Sequence, residues 1–355
     1  MDSTKFTGKA QTVLGPIDAD SIGITTMHEH LLFDLTVWFK ELDSPAGKAL
    51  AHQPITMDNR YQATHRHFAV LDNLVHKDEQ VAINEATLYK EVGGNTIVDV
   101  TNIGLGRNPL ALKHIAQATG LNIIMGSGYY VWKSHPADFD TKTEDEIADG
   151  IVHDLTVGVG DTGIRAGIIG EMGNSWPWHE SEQKAMGAAA SAQRRTGAPM
   201  TVHPGQNELA PIQIVEFLKE RKTDLSRVVF CHPERTFYGT YDGMRRVLDA
   251  GCNYEFDLFG WEGYHPTAYP LDVPNDWGKI KWITELIAEG YVNQIMLAQD
   301  ICMKVYTTTY GGHGMGHILR NIVPRMKLLG ISEEHIHTML VDNPKHFLQF
   351  AEVDS

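Results

Sequence analysis

The chain has 355 residues, 42% of them hydrophobic, and a formal net charge of −15. That length suits one large domain with a substantial core or two smaller ones, and the acidic balance argues against nucleic acid and anionic membranes as partners. Apolar runs stay well short of the ~20 residues of a membrane span, Met1–Phe6 lacks the apolar stretch of a secretion signal, and the odd, scattered set Cys231, Cys252 and Cys302 points to a reducing cytoplasm rather than a disulfide framework.

Residues 1–20, with Gly15 and Pro16 at a turn, read as an N-terminal hairpin. The segment Ile24 to His30 reads as a strand, in which alternation points His28 and His30 one way and Glu29 the other. Residues 33–79 are long for a strand-to-helix connection and are expected to hold helices of their own. From about residue 95, short apolar runs alternate with helix-like segments. The runs are 96–100, 122–125, 166–169, 199–202, 228–230, 254–256 and 294–297, and the one ending at His28 makes eight. Helices are expected over Gln80–Val92, stopped by Gly93 and Gly94, and over Glu182–Arg195, Ile212–Lys222 and Trp282–Ala288. Ser332 followed by Glu333 and Glu334 opens a last helix expected to end before Pro344. Eight strands alternating with helices predict an α/β chain, a (β/α)8 barrel over residues 1–355 with the hairpin across its floor. A doubly wound open sheet is the alternative.

A barrel of this kind carries its chemistry at the C-terminal ends of its strands. Those ends read His28 and His30, then Glu171, His203, His232 and Asp300. Alone, Glu171 reads as a solvated loop acid and Asp300 as a helix cap. Together, four imidazoles and two carboxylates on one rim suit a pair of divalent ions. His28, His30 and Asp300 would hold one ion and His203 and His232 the other, with Glu171 bridging. Such a pair supplies hydroxide at neutral pH, and Asp300 could carry its proton to the leaving group. Zinc is the first expectation, while manganese, cobalt or iron also suits the donors.

The stretches Thr26–His30, Ala166–Gly173, Val202–Gly205, Asp257–Gly260 and Tyr310–Gly314 resemble the phosphotriesterase-like branch of the amidohydrolase superfamily over nearly the whole chain, and within it the phosphotriesterase-related proteins. The resemblance implies the same six metal ligands, with Glu171 where phosphotriesterases place a carboxylated lysine. The glutamate falls one position later than that lysine, so its backbone must shift to aim it inward. The family's His–Asp relay is missing, since Leu258 and Arg235 occupy the matching positions, and the arginine that lactonases carry at the Leu258 position is missing too. Tyr130 matches a lactonase tyrosine. These departures imply an amide or ester of a small anionic acid, such as an N-acyl amino acid, with Arg235 and Lys304 as cations for the acid. A lactonase or phosphotriesterase, or a binding protein on an inactive barrel, are the alternatives. The expected partner is a small molecule, and the oligomeric state stays open, with a homodimer among the options. Of the remaining features, His313 and His317 read as lid or cap residues, and Trp176 and Trp178 as rim packing or pocket walls. Gly126–Gly128 reads as a tight turn, and Cys231 as a core thiol facing away from the ligands.

Overall fold

The computed structural model describes residues 7–237, 241–262 and 273–353, so Met1–Phe6, read above for a leader, lies outside them. The chain begins with an antiparallel hairpin of β1 (Lys9–Thr12) and β2 (Gly15–Asp18). It continues through β3 (Thr25–Glu29), β4 (Phe33–Asp34), α1 (Pro45–Ala51), α2 (Arg60–His65), β5 (Val75–His76), α3 (Glu79–Glu91) and β6 (Thr96–Asp99). Next come α4 (Pro109–Thr119), β7 (Asn122–Ser127), α5 (Glu144–Thr156), β8 (Ile168–Gly173), α6 (Glu180–Thr196), β9 (Met200–His203) and α7 (Leu209–Glu220). The last third holds β10 (Val228–Cys231), α8 (Pro233–Thr236), α9 (Asp242–Asp249), β11 (Asn253–Phe256), α10 (Asp276–Ala288), β12 (Ile295–Leu297), α11 (Val323–Leu328), α12 (Glu333–His337) and α13 (Asn343–Leu348).

Eight strands form one sheet in the order β3-β6-β7-β8-β9-β10-β11-β12, each pair parallel. Its two edges meet where the Asp300 N–H donates to the His28 carbonyl at 3.0 Å. The sheet is therefore the expected (β/α)8 barrel, not an open sheet. Alternation along the strands splits the core in two. Met27, Val98, Ile124, Ile168, Val229 and Met296 fill the barrel interior, and Ala10 of the hairpin with Phe347 and Leu348 belongs to the same cluster at the floor. Ile97, Ile123, Met200, Val202, Phe230 and Phe256 face the helices. The hairpin is tied underneath by Val13 N–H donating to the Ile123 carbonyl at 2.9 Å. The 33–79 connection holds α1, α2 and a small antiparallel ribbon of β4 and β5.

The helices over α3 and α6 match their expected spans within two residues. Helix α10 starts six residues before the Trp282 expected from its apolar run. Asn275 caps it by accepting from Gly278 N–H, and the early turns carry a buried Asp276–Lys279 ion pair. The last helix is a correction: it does not end before Pro344. A π-helical stretch, Thr338–Asp342, leads into α13, and Pro344 sits in the first turn of α13, where its missing N–H leaves no gap. The Asn343 amide then donates to the Val292 and Ile295 carbonyls at 2.8 and 2.7 Å, docking this helix on the end of β12.

Candidate metal centre

All six residues read as ligands lie buried at the C-terminal mouth of the barrel. In β3 the pairing with β6 shifts between Thr26 and Glu29, and His28 within the shift and His30 just after it both reach the site. Glu29 serves a different purpose. Its buried carboxylate accepts from Thr26 Oγ1 at 2.6 Å and from the N–H groups of Gln299 and Ile301, each at 3.0 Å. Those two N–H groups flank Asp300, whose φ of 47° turns it out of the strand pattern. Glu29 thus fixes the backbone that presents Asp300.

The backbone around Glu171 departs from the regular strand pattern. The register of β8 against β9 runs from Ile169↔Met200 to Met172↔Val202, three residues against two. This bulge contains Gly170 at φ 114°, a conformation that L side chains rarely adopt. Its outcome is a carboxylate whose two oxygens face different histidines. Glu171 Oε1 lies 3.7 Å from His28 Nε2 and 3.5 Å from His30 Nε2. Glu171 Oε2 lies 2.7 Å from His203 Nδ1 and 3.9 Å from His232 Nε2. Asp300 Oδ1 is 3.3 Å from His30 Nε2 and 3.8 Å from His28 Nε2, and Asp300 Oδ2 is 3.8 Å from His232 Nδ1.

These spacings fit a metal better than a hydrogen-bond network. Most exceed hydrogen-bond length, whereas ligands ~2.1 Å from a tetrahedral ion lie about 3.4 Å from one another. His28 Nε2 is fully buried and makes no hydrogen bond, a state that costs free energy unless something else binds the lone pair. The outer partners set the tautomers accordingly. His28 Nδ1 donates to Glu255 Oε1 at 2.7 Å, His232 Nδ1 to Asp257 Oδ1 at 2.8 Å, and His30 Nδ1 to Thr101 Oγ1 at 2.9 Å. That leaves His28 Nε2 without a hydrogen bond, 3.7 Å from Glu171 and 3.8 Å from Asp300, and His232 Nε2 3.2 Å from His203 Nδ1.

Electrostatics point the same way. Burial pushes the Glu171 carboxyl up to about 7 despite His28 and His30 beside it. Burial opposes charge on His28, yet Glu255 and Glu171 hold its imidazole well above its ordinary value. Burial, followed by the nearby Arg235 charge, drives His203 and His232 well below theirs. Asp300 is held below the usual carboxylate range: burial works against this, and contacts with His30, His28 and His232 outweigh it. A pocket that crowds buried carboxylates and imidazoles around shared points, with His203 and His232 held neutral, suits bound cations.

Glu255 and Asp257 escaped the reading of the strand ends. The sequence signal was there: acids at 255 and 257 alternate with Tyr254, Phe256 and Leu258, which places both acids on the inner face. Cys231 needs correction. It does not face away from the ligands, because Val229 and Cys231 share the interior face of β10. His232 reaches the same interior through a φ of 55° just past the strand. The thiol donates to the Val202 carbonyl at 3.1 Å, and burial raises its pKa well above the usual value.

Above the ligands opens a cavity of about 670 Å³, lined by His203, His232 and Asp300 at the metal centre and by Tyr130 and Arg235. Tyr130 is buried, and burial raises its phenol pKa well above the usual value, so it presents a neutral hydroxyl 3.4 Å from His203. Arg235 approaches His203 Nε2 at 2.5 Å and the Pro204 carbonyl at 3.2 Å. Lys304 is not brought to the cavity: its ammonium pairs with Asp72 at 2.6 Å. Trp176 lines the cavity, while Trp178 packs on Phe217 and donates to Asn174. His317 pairs with Asp276 and stacks on His313, away from the ligands.

The profile of the phosphotriesterase family matches residues 8–348. The chain is 38% identical to the N-acetyltaurine hydrolase of Dictyostelium discoideum, covering 97% of this chain and 99% of that protein. It is 37% identical to the human N-acetyltaurine hydrolase, covering 98% and 99%. Among solved structures, a resiniferatoxin-binding protein from Rhodobacter sphaeroides superposes with a TM-score of 0.93 at 32% identity, covering 96% of this chain and 95% of that one. Full-length matches of this kind, on a barrel with this rim, make the chain a hydrolase that belongs to the phosphotriesterase family.

Proposed function

We propose that this enzyme hydrolyses the amide of an N-acylated small anionic acid, with N-acetyltaurine and N-acyl amino acids as the first compounds to try. The observation that carries the reading is the division of Glu171, with one oxygen toward His28 and His30 and the other toward His203 and His232. In this reading the chain is one barrel domain that holds two divalent ions, zinc first. His28, His30 and Asp300 would hold one, His203 and His232 the other, with Glu171 shared. Ions held there would supply hydroxide at neutral pH and polarise a carbonyl.

The chain's own groups do the rest. Asp300, ionised and at the cavity floor, accepts the proton released during attack and returns it to the leaving amine. The Tyr130 hydroxyl is placed to donate to the carbonyl oxygen as negative charge develops. Arg235 receives the acid end. Its guanidinium lines the cavity beside His203 and the Pro204 carbonyl, and a carboxylate or sulfonate matches its fork geometry. Lys304, engaged with Asp72, takes no part.

The test is a side-by-side screen of N-acetyltaurine, N-acyl amino acids, aryl esters, lactones and phosphotriesters with metal-loaded enzyme. The proposal expects the highest kcat/KM on amides of anionic acids, and a clear preference for phosphotriesters or lactones overturns it. A second reading, in which the barrel binds its ligand without turnover, draws on the name of the Rhodobacter relative. Tight binding with no hydrolysis of any compound in the screen would establish it instead.

A further inference from the structure

The cavity is larger and more aromatic than an acetyl group requires. At about 670 Å³ it falls in the range of sites that enclose drug-sized ligands, roughly 300–1,000 Å³. One wall is a band of rings that starts at His203, while Lys40, Glu41, Asp43 and Arg66 line another part of the cavity. Ring centroids are 4.9 Å apart from His203 to Tyr130, 6.2 Å from Tyr130 to Trp38 and 6.2 Å from Trp38 to Phe68. The band continues 4.2 Å to His67 and 5.6 Å to Trp261. Leu258 and Met303 line the same cavity. The band is built from distant parts of the chain. Trp38, His67 and Phe68 come from the connection after β3, Tyr130 follows β7, and Trp261 follows β11. The Trp38 indole N–H donates to the Tyr130 hydroxyl at 3.2 Å, which ties the wall to the centre.

We infer that the acyl group of the substrate is bulky and aromatic, of phenylacetyl size, and lies along this band. The inference rests on the amidase reading above and deepens it. With the acid end at Arg235 and the scissile carbonyl beside Tyr130, the remaining cavity belongs to the acyl group. An aromatic ring gains there by apolar burial and by offset or edge-on contacts with the band. An acetyl group leaves most of that surface uncovered.

The experiment has two arms. In the first, metal-loaded enzyme is given N-acetyl, N-butanoyl, N-hexanoyl and N-phenylacetyl taurine. The expected kcat/KM rises along the series, with phenylacetyl above acetyl by at least about tenfold, since even one methylene in a fitted pocket is worth roughly 10–200-fold. Phe68→Ala, which truncates the middle of the band, should lower the phenylacetyl-to-acetyl ratio several-fold. The second arm needs no turnover: calorimetry compares phenylacetate with acetate as ligands of the same full-length protein. Phenylacetate should bind at least about tenfold tighter, and Phe68→Ala should narrow the gap. Acetyl amides turned over best, with no advantage for phenylacetate, would overturn the inference while leaving the amidase reading intact. Tight phenylacetate binding without hydrolysis of any N-acyl taurine or N-acyl amino acid would instead overturn the amidase reading and keep the aromatic site.

Discussion

Glu255→Gln is the most informative single substitution outside the ligand set. Glu255 is fully buried and accepts from His28 Nδ1 at 2.7 Å and from Thr201 Oγ1 at 3.0 Å. Glutamine keeps the volume and leaves a carbonyl oxygen to accept, but removes the charge. Hydrogen bonds to an ionised partner contribute ~1.5–3 kcal/mol and neutral ones ~0.5–1.5 kcal/mol, so about 1–1.5 kcal/mol is lost on the His28 ring. At about 1.4 kcal/mol per tenfold, that alone weakens zinc binding roughly five- to tenfold. The lost negative charge beneath the ring adds to this, giving roughly 10–100-fold overall, as found for outer partners of metal-bound histidines. Competition against a chromophoric chelator reads the affinity directly, and a thermal melt shows that the barrel still folds. Thr201→Val, which removes only the second bond to Glu255 and leaves its charge beneath His28, should weaken zinc binding less than Glu255→Gln does. A Glu255→Gln protein that folds and binds zinc within twofold of wild type would refute the claim that Glu255 fixes His28 for a metal.

Arg235→Gln should raise KM for anionic amides by about 10–100-fold, with a smaller change in kcat, and Arg235→Lys should rescue little because an ammonium cannot form the fork. Steady-state kinetics on charged and uncharged amides of equal size check this, and an equal loss on both would show that Arg235 acts otherwise. Glu29→Gln turns an amide NH2 toward the N–H of Gln299 or Ile301, leaving one buried donor of the turn that presents Asp300 without its acceptor. Urea unfolding should show a loss of about 2 kcal/mol. Burial and the Lys304 charge hold buried His76 down to about 4. The unfolded chain takes up that proton near 6.5, so between those values protonation favours unfolding. The His76 contribution is complete above pH 6.5 and is lost as pH falls toward 4, by about 3 kcal/mol in total. Unfolding free energies from pH 7 to 4 should fall less steeply in His76→Gln, and parallel curves would refute the assignment.

The barrel was legible because short continuous apolar runs, buried on both faces, alternate with helix-forming stretches, and tertiary contacts did not override that pattern. The six rim residues were legible for the same reason, since a strand end is a countable position. What escaped lay where local backbone departs from the pattern. Pro344 reads as a stop, yet a π-helical stretch carries the helix through it. Cys231 and His232 both point inward because His232 leaves the extended region at φ 55°, which a strand count cannot foresee. Lys304 lies four residues past Asp300, close in sequence to the site, but its partner Asp72 comes from the connection after β3. The aromatic band joins rings from three separate connections, and a single sequence carries no signal for that convergence.

The central claim is that six side chains hold two metal ions and that hydrolysis requires both. Chelator-stripped protein titrated with zinc, with bound metal measured by elemental analysis alongside N-acyl amide turnover, tests it most directly. The account predicts no activity without metal and turnover that reaches its plateau at two ions per chain. Full activity in metal-free protein, or a plateau at one ion, would contradict it.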